Sequence, residues 1–282
     1  MRFALSGIYG VCPAPPNDTP IRQISDRPNR ILPIKISVIT AVYNRETTVA
    51  DTIRSVQRQT HVDVNHVIQD GGSTDGTLDA VRSFDDPRTD LLSSRDSGIY
   101  DAINRGMERA TGDVIGLMHS DDVFASDTIL ERVAKTFEDP DIDCVYGDLQ
   151  YVAADDTSRV IRHWASGPYQ RSLLKKGWMP PHPTFYMRRS VLERFGNYDT
   201  SYQIAADYDA MLRWLWTGGI RAAYIPEVMV KMRVGGESNR SLSRILQKSR
   251  EDLRALKKNG IGGPGVLAMK NVRKIRQFRL RK

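Results

Sequence analysis

The sequence contains few cysteines and no long apolar run. Only Cys12 and Cys144 occur among its 282 residues, and they form no spaced cluster. This argues against a disulfide framework and against a structural zinc site, and it fits a reducing cytoplasm. No stretch approaches the roughly 20 apolar residues that a membrane-spanning helix requires. These absences favour a globular cytoplasmic protein.

The C-terminal segment lacks acidic residues. Residues 266–282 contain seven lysines and arginines and no acid, which equals the whole formal net charge of +7. Residues 1–265 are therefore neutral overall, and a broad basic face for nucleic acid is disfavoured. Apolar residues alternate with the seven cations, which is typical of a helix lying on an anionic membrane surface. The alternative is a solvated end without structure.

Strands and helices are predicted to alternate along much of the chain. Residues 1–33 are rich in proline, asparagine and aspartate, which indicates a loose N-terminal extension. The short β-branched stretch Ile36–Val42 is typical of a strand buried on both faces. Helical and strand patterns then follow in turn as far as Val152. This order predicts an α/β fold with a doubly wound, mostly parallel central sheet.

Polar and acidic residues follow three of the predicted strands, in the segments 43–46, 70–75 and 119–122. In open α/β sheets, ligands bind beyond the carboxyl ends of the strands. We therefore expect the three segments to meet and to form one ligand site.

Asp121 and Asp122 are adjacent carboxylates that follow a predicted buried strand. Poor solvation and mutual repulsion favour a divalent cation there, and carboxylate oxygens suit Mg²⁺ or Mn²⁺. The alternative is that Ser120 and Asp121 simply cap the helix that starts near Asp127. The pair alone leaves both interpretations open.

Glycine and aspartate dominate the segment 70–77. Both residues are typical of turns, and Thr74 or Asp75 would suit a helix cap. Alternatively, the carboxylate of Asp70 would accept a hydrogen bond from a nucleotide base or ribose, and the glycines would let the backbone approach the ligand closely. The motif G-x-G-x-x-G is missing, so a dinucleotide site is not indicated.

Four motifs occur together and in order, at 40–44 (TAVYN), 70–77 (DGGSTDGT), 96–106 (DSGIYDAINRG) and 119–122 (HSDD). With them the chain resembles a family 2 glycosyltransferase with the GT-A fold, over roughly 35–235. It especially resembles the branch that builds bacterial capsule, exopolysaccharide or O-antigen repeat units. Each motif alone is weak, whereas the four in this order are specific.

The resemblance implies a site for a nucleotide diphosphate sugar donor. The implied donor-binding residues are Thr40, Val42, Asn44, Glu46, Asp70, Asp75, Asp96 and Asp121. Asp122 would coordinate Mn²⁺ or Mg²⁺. Because Ser120 precedes the aspartate pair, the resemblance leaves open whether Asp121 or Asp122 is the direct ligand.

The resemblance also implies a catalytic base at Asp207, at the start of a predicted helix. Family members often carry Glu-Asp here, and this chain has Ala206 in place of the glutamate. Asp209 is the other candidate for the base, and the alternative for both aspartates is that they only interact with the helix dipole.

His182 would contact the diphosphate or the acceptor, or would only stabilise a proline-rich turn. Arg233 would belong to a mobile segment that reaches phosphate.

Three domain segments are expected from this resemblance. Residues 34–240 would form the catalytic domain, with a nucleotide-sugar half at 34–125 and an acceptor half at 126–240. Residues 241–282 would form a C-terminal helix and the basic tail, which would contact an anionic membrane. The protein would then be peripheral on the inner, cytoplasmic face of the plasma membrane.

The implied activity is inverting transfer of a hexose or N-acetylhexosamine, from a UDP-sugar in the first instance, to an acceptor hydroxyl. A lipid-linked oligosaccharide in the assembly of cell-envelope polysaccharide is the expected acceptor. Two alternatives remain open at this point. One is a catalytically silent sugar-nucleotide-binding protein, in view of Ala206, and the other is a nucleotidylyltransferase.

Overall fold

The structure is a computed structural model that describes residues 34–235 and 242–276. The predicted extension 1–33, residues 236–241 and the last six residues of the basic tail lie outside the described residues. Within them the strands are β1 (Ile36–Val42), β2 (Val64–Asp70), β3 (Thr89–Ser93), β4 (Val114–Leu117), β5 (Val123–Phe124), β6 (Cys144–Val152), β7 (Val160–Trp164), β8 (Tyr186–Arg188) and β9 (Ala222–Arg233). The helices are α1 (Val49–Gln57), α2 (Thr77–Arg82), α3 (Ile99–Arg109), α4 (Ile129–Thr136), α5 (Arg189–Phe195), α6 (Ala206–Leu212), α7 (Leu242–Lys258) and α8 (Pro264–Arg276).

All these strands belong to one sheet in the order β3-β2-β1-β4-β8-β6-β9-β5, with β7 paired to β6. The first four strands in this order are mutually parallel. Beyond them, β8 runs antiparallel to both neighbours, while β6 and β9 are again parallel. The prediction of an α/β fold with a doubly wound, mostly parallel central sheet is confirmed.

Strand β1 occupies the centre of the parallel half because its side chains are apolar on both faces. Ile39 packs toward α3, whereas Ile36 and Val38 pack on the opposite side of the sheet. Helix α3 approaches β1 closely at Gly106, where an added Cβ would lie 2.5 Å from the side chain of Ile39. Since β1 runs parallel to both neighbours, β2 and β4, the carboxyl ends of these three strands meet at one edge of the sheet.

Strand β9 is longer than the sequence predicts. The sequence predicts a strand only over 221–225, and Pro226, which follows, lacks an N–H group for a ladder hydrogen bond. The structure continues β9 to Arg233, and the pairing with β6 shifts register between Tyr224 and Val228. This irregularity accommodates the proline within the strand. The extension matters for function because it delivers Arg233 to the site edge of the sheet.

Helix α6 is shorter than predicted. The pattern indicated one helix over 207–216, but the α-helix ends at Leu212 and a π-helical turn follows over Arg213–Thr217. Trp214 lies fully buried in this turn and stacks on Phe185 with 6.0 Å between ring centroids. Its ring therefore belongs to the core and does not offer a sugar-stacking surface.

The two C-terminal helices pack on the rest of the protein. Helix α8 includes the first part of the basic tail, and there Val266 and Leu267 contact the main apolar core. Lys270 is also buried and forms an ion pair with Asp252 of α7, 2.7 Å away. None of the helices in 34–235 or 242–276 is long and apolar enough to cross a membrane.

Candidate active site

The loops that follow β1 and β2 are joined by hydrogen bonds at the carboxyl edge of the sheet. The N–H of Asn44 donates to the hydroxyl of Ser73, and the side-chain oxygen of Asn44 accepts from the N–H of Thr74, both at 2.9 Å. Asn44 adopts a left-handed backbone with φ of 50°, which asparagine tolerates better than most residues. The carboxylate of Glu46 accepts from the N–H of Gly76 at 2.8 Å. The two motifs therefore form one polar edge, as the sequence predicts.

Asp70 holds the glycine-rich turn together from the end of β2. Its carboxylate accepts hydrogen bonds from the backbone N–H groups of Gly72 and Ser73 and from the hydroxyls of Ser73 and Ser93. The residue is completely buried. Its contact with a nucleoside stays a prediction, and in the structure both oxygens serve the turn. Asp75 acts similarly at the start of α2, where Thr77 donates to it.

Thr40 and Val42 face the interior. The hydroxyl of Thr40 lies 3.0 Å from Nε2 of buried His66, and Val42 packs under α1 and α2. Asp96, in contrast, is half-buried beside the glycine-rich turn and accepts from the N–H of Gly98 at 2.9 Å. A Cβ at Gly71 would displace the Asp96 carboxylate from its place beside the turn.

The carboxylate of Asp122 is buried with one oxygen unsatisfied. Oδ1 accepts from the backbone N–H of Arg233 at 3.1 Å, whereas Oδ2 has no hydrogen-bond partner among the described residues. Burial, and next the charge of Asp121, raise the pKa of Asp122 well above its ordinary value. A buried carboxylate oxygen without a donor is costly. A divalent cation would satisfy it, so this residue fits the predicted metal.

Arg233 links the aspartate pair to α1. Its guanidinium donates to the carbonyl of Asp121 and to the carboxylate of Asp51, each at 2.7 Å. The side chain of Asp121 is half-buried and makes no hydrogen bond or ion pair with described residues, which leaves its carboxylate available. The sequence predicts Arg233 in a mobile segment that reaches phosphate. The structure places it at the end of β9 with these partners, and its contact with phosphate stays a prediction.

The described ranges contain no group of three or more histidine, cysteine or acidic side chains arranged to hold a metal ion. The described residues therefore offer the carboxylates of Asp121 and Asp122 at this position. Mg²⁺ is typically bound through one or two carboxylates, with substrate phosphates and water as the other ligands. The donor set fits a cation that binds together with a nucleotide diphosphate.

Asp207 lies in the first turn of α6 and contacts two polar side chains. Its carboxylate is 3.3 Å from Nδ1 of His182 and 3.3 Å from the hydroxyl of Tyr100. Burial alone would raise the pKa of Asp207, but His182, Lys248 and Lys270 outweigh that effect and lower it. The carboxylate is therefore ionised near neutral pH and is able to accept a proton.

His182 joins Asp207 to the loop that carries the aspartate pair. Nε2 of His182 lies 2.8 Å from Nε2 of His119, the residue two positions before Asp121. Burial lowers the pKa of His182 to about 4 and also lowers the pKa of His119, so both rings are neutral near pH 7. An ionised Asp207 accepts from Nδ1–H of His182, whose Nε2 then accepts from His119.

A cavity of about 350 Å³ opens beside Asp207. Its wall includes His182, Arg233 and Gly235, together with side chains from β6, β7, α7 and α8. Asp122 is not among the residues of this wall, but its carboxylate accepts from the N–H of Arg233, which is. The cavity is therefore connected to the predicted metal position through Arg233, and to the predicted base directly.

Asp209 lies away from the cavity. It is fully buried, accepts from Asn259 at 3.1 Å, and lies 3.3 Å from Nζ of Lys258. These contacts bind α6 to α7. The structure thus brings Asp207, His182 and Arg233 to one cavity, and it gives Asp209 a packing role.

Three residues near the base escaped the sequence analysis. Tyr100 and His119 both lie within the quoted motifs, so their position next to the other motif residues could have singled them out. Glu251 of α7 gave no signal in the sequence. Its carboxylate accepts from the N–H groups of Ile204 and Ala205, at 2.8 and 2.9 Å, at the start of α6.

Comparison with known proteins identifies the family. Residues 37–196 match the family model described as Glycosyl transferase family 2. The chain is also 30% identical over 208 residues to a PGL/p-HBAD biosynthesis glycosyltransferase of Mycobacterium bovis, a match that covers 72% of this chain and 78% of the relative. The chain belongs to glycosyltransferase family 2.

Solved structures agree with this fold. The mannosyltransferase PcManGT of Pyrobaculum calidifontis, in complex with GDP-Man and Mn²⁺, has a TM-score of 0.61 at 18% identity and covers 86% of this chain and 70% of its own. Residues 1–349 of TarS from S. aureus, in complex with UDP-GlcNAc, give a TM-score of 0.64 at 16% identity and cover 88% and 74%. These likenesses show the GT-A fold.

Proposed function

We propose that this glycosyltransferase is an inverting, metal-dependent enzyme that transfers a hexose or N-acetylhexosamine from a nucleotide diphosphate sugar to an acceptor hydroxyl. UDP-sugars are the first donors to test. The presence of UDP-GlcNAc in TarS and of GDP-Man with Mn²⁺ in PcManGT supports this donor class. The expected acceptor is a lipid-linked oligosaccharide in the assembly of a surface polysaccharide.

The base is Asp207. Its ionised carboxylate lines the cavity, and the contacts with His182 and Tyr100 fix its orientation. It takes the proton of the acceptor hydroxyl while the acceptor oxygen bonds to the anomeric carbon and the bond from that carbon to the donor diphosphate breaks. A carboxylate of low pKa is a weak base, so the proton moves late and together with bond formation.

Asp122, with Asp121 beside it, would hold Mn²⁺ or Mg²⁺. When bound, the ion neutralises the charge that grows on the departing diphosphate. Arg233 keeps the two aspartates against β9 through the N–H bond to Asp122 and the guanidinium bond to the Asp121 carbonyl. These contacts order the loop before the donor binds, which lowers the entropic cost of binding.

The observation that carries this proposal is an ionised carboxylate, Asp207, on the wall of a cavity that is also lined by Arg233, which bonds the aspartate pair. Asp207→Asn and Asp122→Ala test it on the full chain. We expect Asp207→Asn to bind UDP-sugar with Mn²⁺ normally and to lose transfer by several orders of magnitude. We expect Asp122→Ala to lose the metal-dependent part of donor binding. Full transfer by Asp207→Asn would refute the assignment of the base.

The same assays separate the alternative functions. A silent binding protein would neither transfer the sugar nor hydrolyse the donor slowly without an acceptor. A nucleotidylyltransferase would release pyrophosphate from a nucleoside triphosphate. We expect slow hydrolysis of the sugar nucleotide and no pyrophosphate.

We further propose that the basic tail brings the protein to the cytoplasmic face of an anionic membrane. Met269 and Val272 are exposed on α8, next to several cations of the segment 266–282. Removing the whole tail would also remove buried Lys270, so the sharper variant replaces Arg279, Arg281 and Lys282 together by glutamine. Weaker co-sedimentation with phosphatidylglycerol liposomes is expected, and unchanged binding would exclude this role of the tail.

A further inference from the structure

The cavity beside Asp207 carries an excess of positive charge. Its wall contains Arg162, Lys248, Lys270 and Arg233 together with the carboxylates of Asp207 and Asp252. Because Arg233 is paired with Asp51 outside the wall, three cations remain against two carboxylates. Two of the cations come from the C-terminal helices, outside the segment that matches the family model. Cations in a partly buried cavity are costly unless an opposite charge accompanies them.

The contacts of each cation show which of them are available to bind a ligand. Lys270 pairs with Asp252 at 2.7 Å and lies 3.2 Å above the centre of the Tyr208 ring. Arg162 stacks on the ring of Tyr151, with 3.8 Å from its guanidinium carbon to the ring centre. Lys248 is half-buried and has no hydrogen bond or ion pair with described residues. Its charge nevertheless acts on both Asp207 and His182.

These cations are separate from the predicted donor site. Among the described residues, the cavity wall includes neither Asp121 nor Asp122, and it includes no residue of the loops after β1 and β2. Arg233 lines the cavity, but its guanidinium is already bonded to Asp51 and to the Asp121 carbonyl. Lys248 and Arg162 are therefore positioned to bind a group that enters with the acceptor.

The remaining wall suits a sugar ring. Trp164, Met179 and Ile161 supply apolar surface, and the volume of about 350 Å³ lies at the lower end of the usual range for small-ligand sites. Building on the glycosyltransferase activity proposed above, we infer that the cavity binds an acceptor sugar carrying an anionic group, phosphate or carboxylate, which contacts Lys248 and Arg162 while its hydroxyl faces Asp207.

Calorimetric titration of the full chain with three probes tests this inference. Glucose 1-phosphate, glucuronic acid and glucose are each titrated in the presence of Mg²⁺ and saturating UDP, so that the nucleotide already occupies its own phosphate positions. We expect either or both anionic probes to bind at least about tenfold more tightly than glucose, as a charge-assisted hydrogen bond allows. Comparing the affinities of glucose 1-phosphate and glucuronic acid shows whether the site prefers a phosphate or a carboxylate.

The matched variants are Lys248→Met and Lys257→Met, both on α7. Lys257 is exposed and does not line the cavity. We expect Lys248→Met to lose most of the preference for the anionic probe at an unchanged Tm, and Lys257→Met to keep it. Arg162→Gln is expected to weaken the same preference.

Equal binding of glucose and both anionic probes would overturn the inference, and so would a preference that Lys248→Met leaves intact. The same titrations are repeated without UDP. Anion binding that occurs without UDP and is lost at saturating UDP would assign the cations to the donor diphosphate and would overturn the inference as well. Sugar transfer is not a readout in these titrations. Failure of the anion site therefore leaves the Asp207→Asn test of transfer unaffected, and the reverse also holds.

Discussion

Nδ1 of His182 lies 3.3 Å from Oδ2 of Asp207, so the proposed base is held by a neutral imidazole. The other ring nitrogen of His182 lies 2.8 Å from Nε2 of His119. The histidine thus connects the base on α6 to the chain that leaves β4 toward the aspartate pair. Because burial lowers the pKa of His182 to about 4, its two nitrogens have opposite roles near pH 7, one donating and the other accepting.

Two amide variants separate these roles of His182. The amide nitrogen of asparagine occupies nearly the position of Nδ1, whereas that of glutamine is closer to Nε2. His182→Asn should therefore keep a donor for Asp207, and His182→Gln should keep only a partner for His119. We expect kcat to fall about tenfold in His182→Asn and about a hundredfold in His182→Gln, with little change in donor affinity. Equal losses in the two variants would show that the contact with Asp207 contributes no more to turnover than the contact with His119.

Glu251 is expected to position the base without touching the substrate. Ala205, which precedes α6, has no side chain to accept from the free N–H groups of the helix start. The carboxylate of Glu251 supplies that acceptor from α7, through the N–H groups of Ile204 and Ala205. Glu251→Gln should lower kcat several-fold and leave donor affinity unchanged, because Asp207 loses its fixed orientation.

The matched control for Glu251 is Glu193→Gln, which changes an exposed glutamate on α5 without described partners. Steady-state kinetics and thermal unfolding of both variants provide the comparison. A merely structural role would lower the Tm of Glu251→Gln by the equivalent of about 1 kcal/mol while kcat of the folded protein stayed at the wild-type value. That result would remove Glu251 from the positioning of the base.

Local patterns in the sequence predicted the sheet of the first half well. Strands such as β1 are apolar on both faces, and the polar segments at their carboxyl ends meet as expected. Short strands such as β8, with only three residues, have no pattern of their own and depend on pairing with β4 and β6. The π-helical turn after Leu212 likewise depends on tertiary packing around Trp214 and has no local signature.

The candidate site was predictable in part, for a physical reason. Motif residues such as Asp122 and Asp207 were identified by resemblance, and their catalytic roles remain predictions. The cavity wall was not foreseen, because Lys248 and Lys270 belong to helices whose amphipathic pattern indicates a buried face without indicating what that face meets. The tail was predicted to lie on an anionic membrane or to form a solvated end, and neither prediction indicated that Lys270 is buried in the protein.

Stability is expected to rise with pH between about 4 and 6.5 because of His66. Burial lowers the pKa of this residue from 6.5 to about 4, although Asp86 opposes the shift. In that interval the unfolded chain binds a proton that the folded protein does not, so acid favours unfolding. The titration of His66 contributes on the order of 3 kcal/mol to the free energy of unfolding, and this contribution is lost progressively as the pH falls from 6.5 toward 4.

His66→Gln removes this titration while keeping a polar group near Thr40. Urea unfolding at pH 4.5 and pH 7 is the measurement. We expect the variant to be less stable than wild type at pH 7, yet to lose less stability on acidification. An identical pH dependence in the two proteins would mean that His66 titrates normally in the folded state.

Arg233 and Asp51 are expected to be energetically coupled in donor binding. The guanidinium of Arg233 is largely buried, and it joins the carboxylate of Asp51 at 2.7 Å to the carbonyl of Asp121. Arg233→Gln and Asp51→Asn should each weaken Mn²⁺-dependent binding of the nucleotide sugar, because the aspartate pair loses its support. Both variants break the same contact, the one between Arg233 and Asp51. The double variant should therefore lose less binding free energy than the sum of the two single losses, with a coupling of about 1 kcal/mol.

Arg54→Gln is the control for this cycle. Arg54 meets the other oxygen of Asp51 at 3.0 Å, but both partners of that ion pair are well exposed, so water and salt screen it. Its removal should change donor affinity by less than twofold, and a cycle with Asp51→Asn should be additive. If the Arg233 cycle were also additive in calorimetric titrations, the bridge would not transmit order from α1 to the aspartate pair.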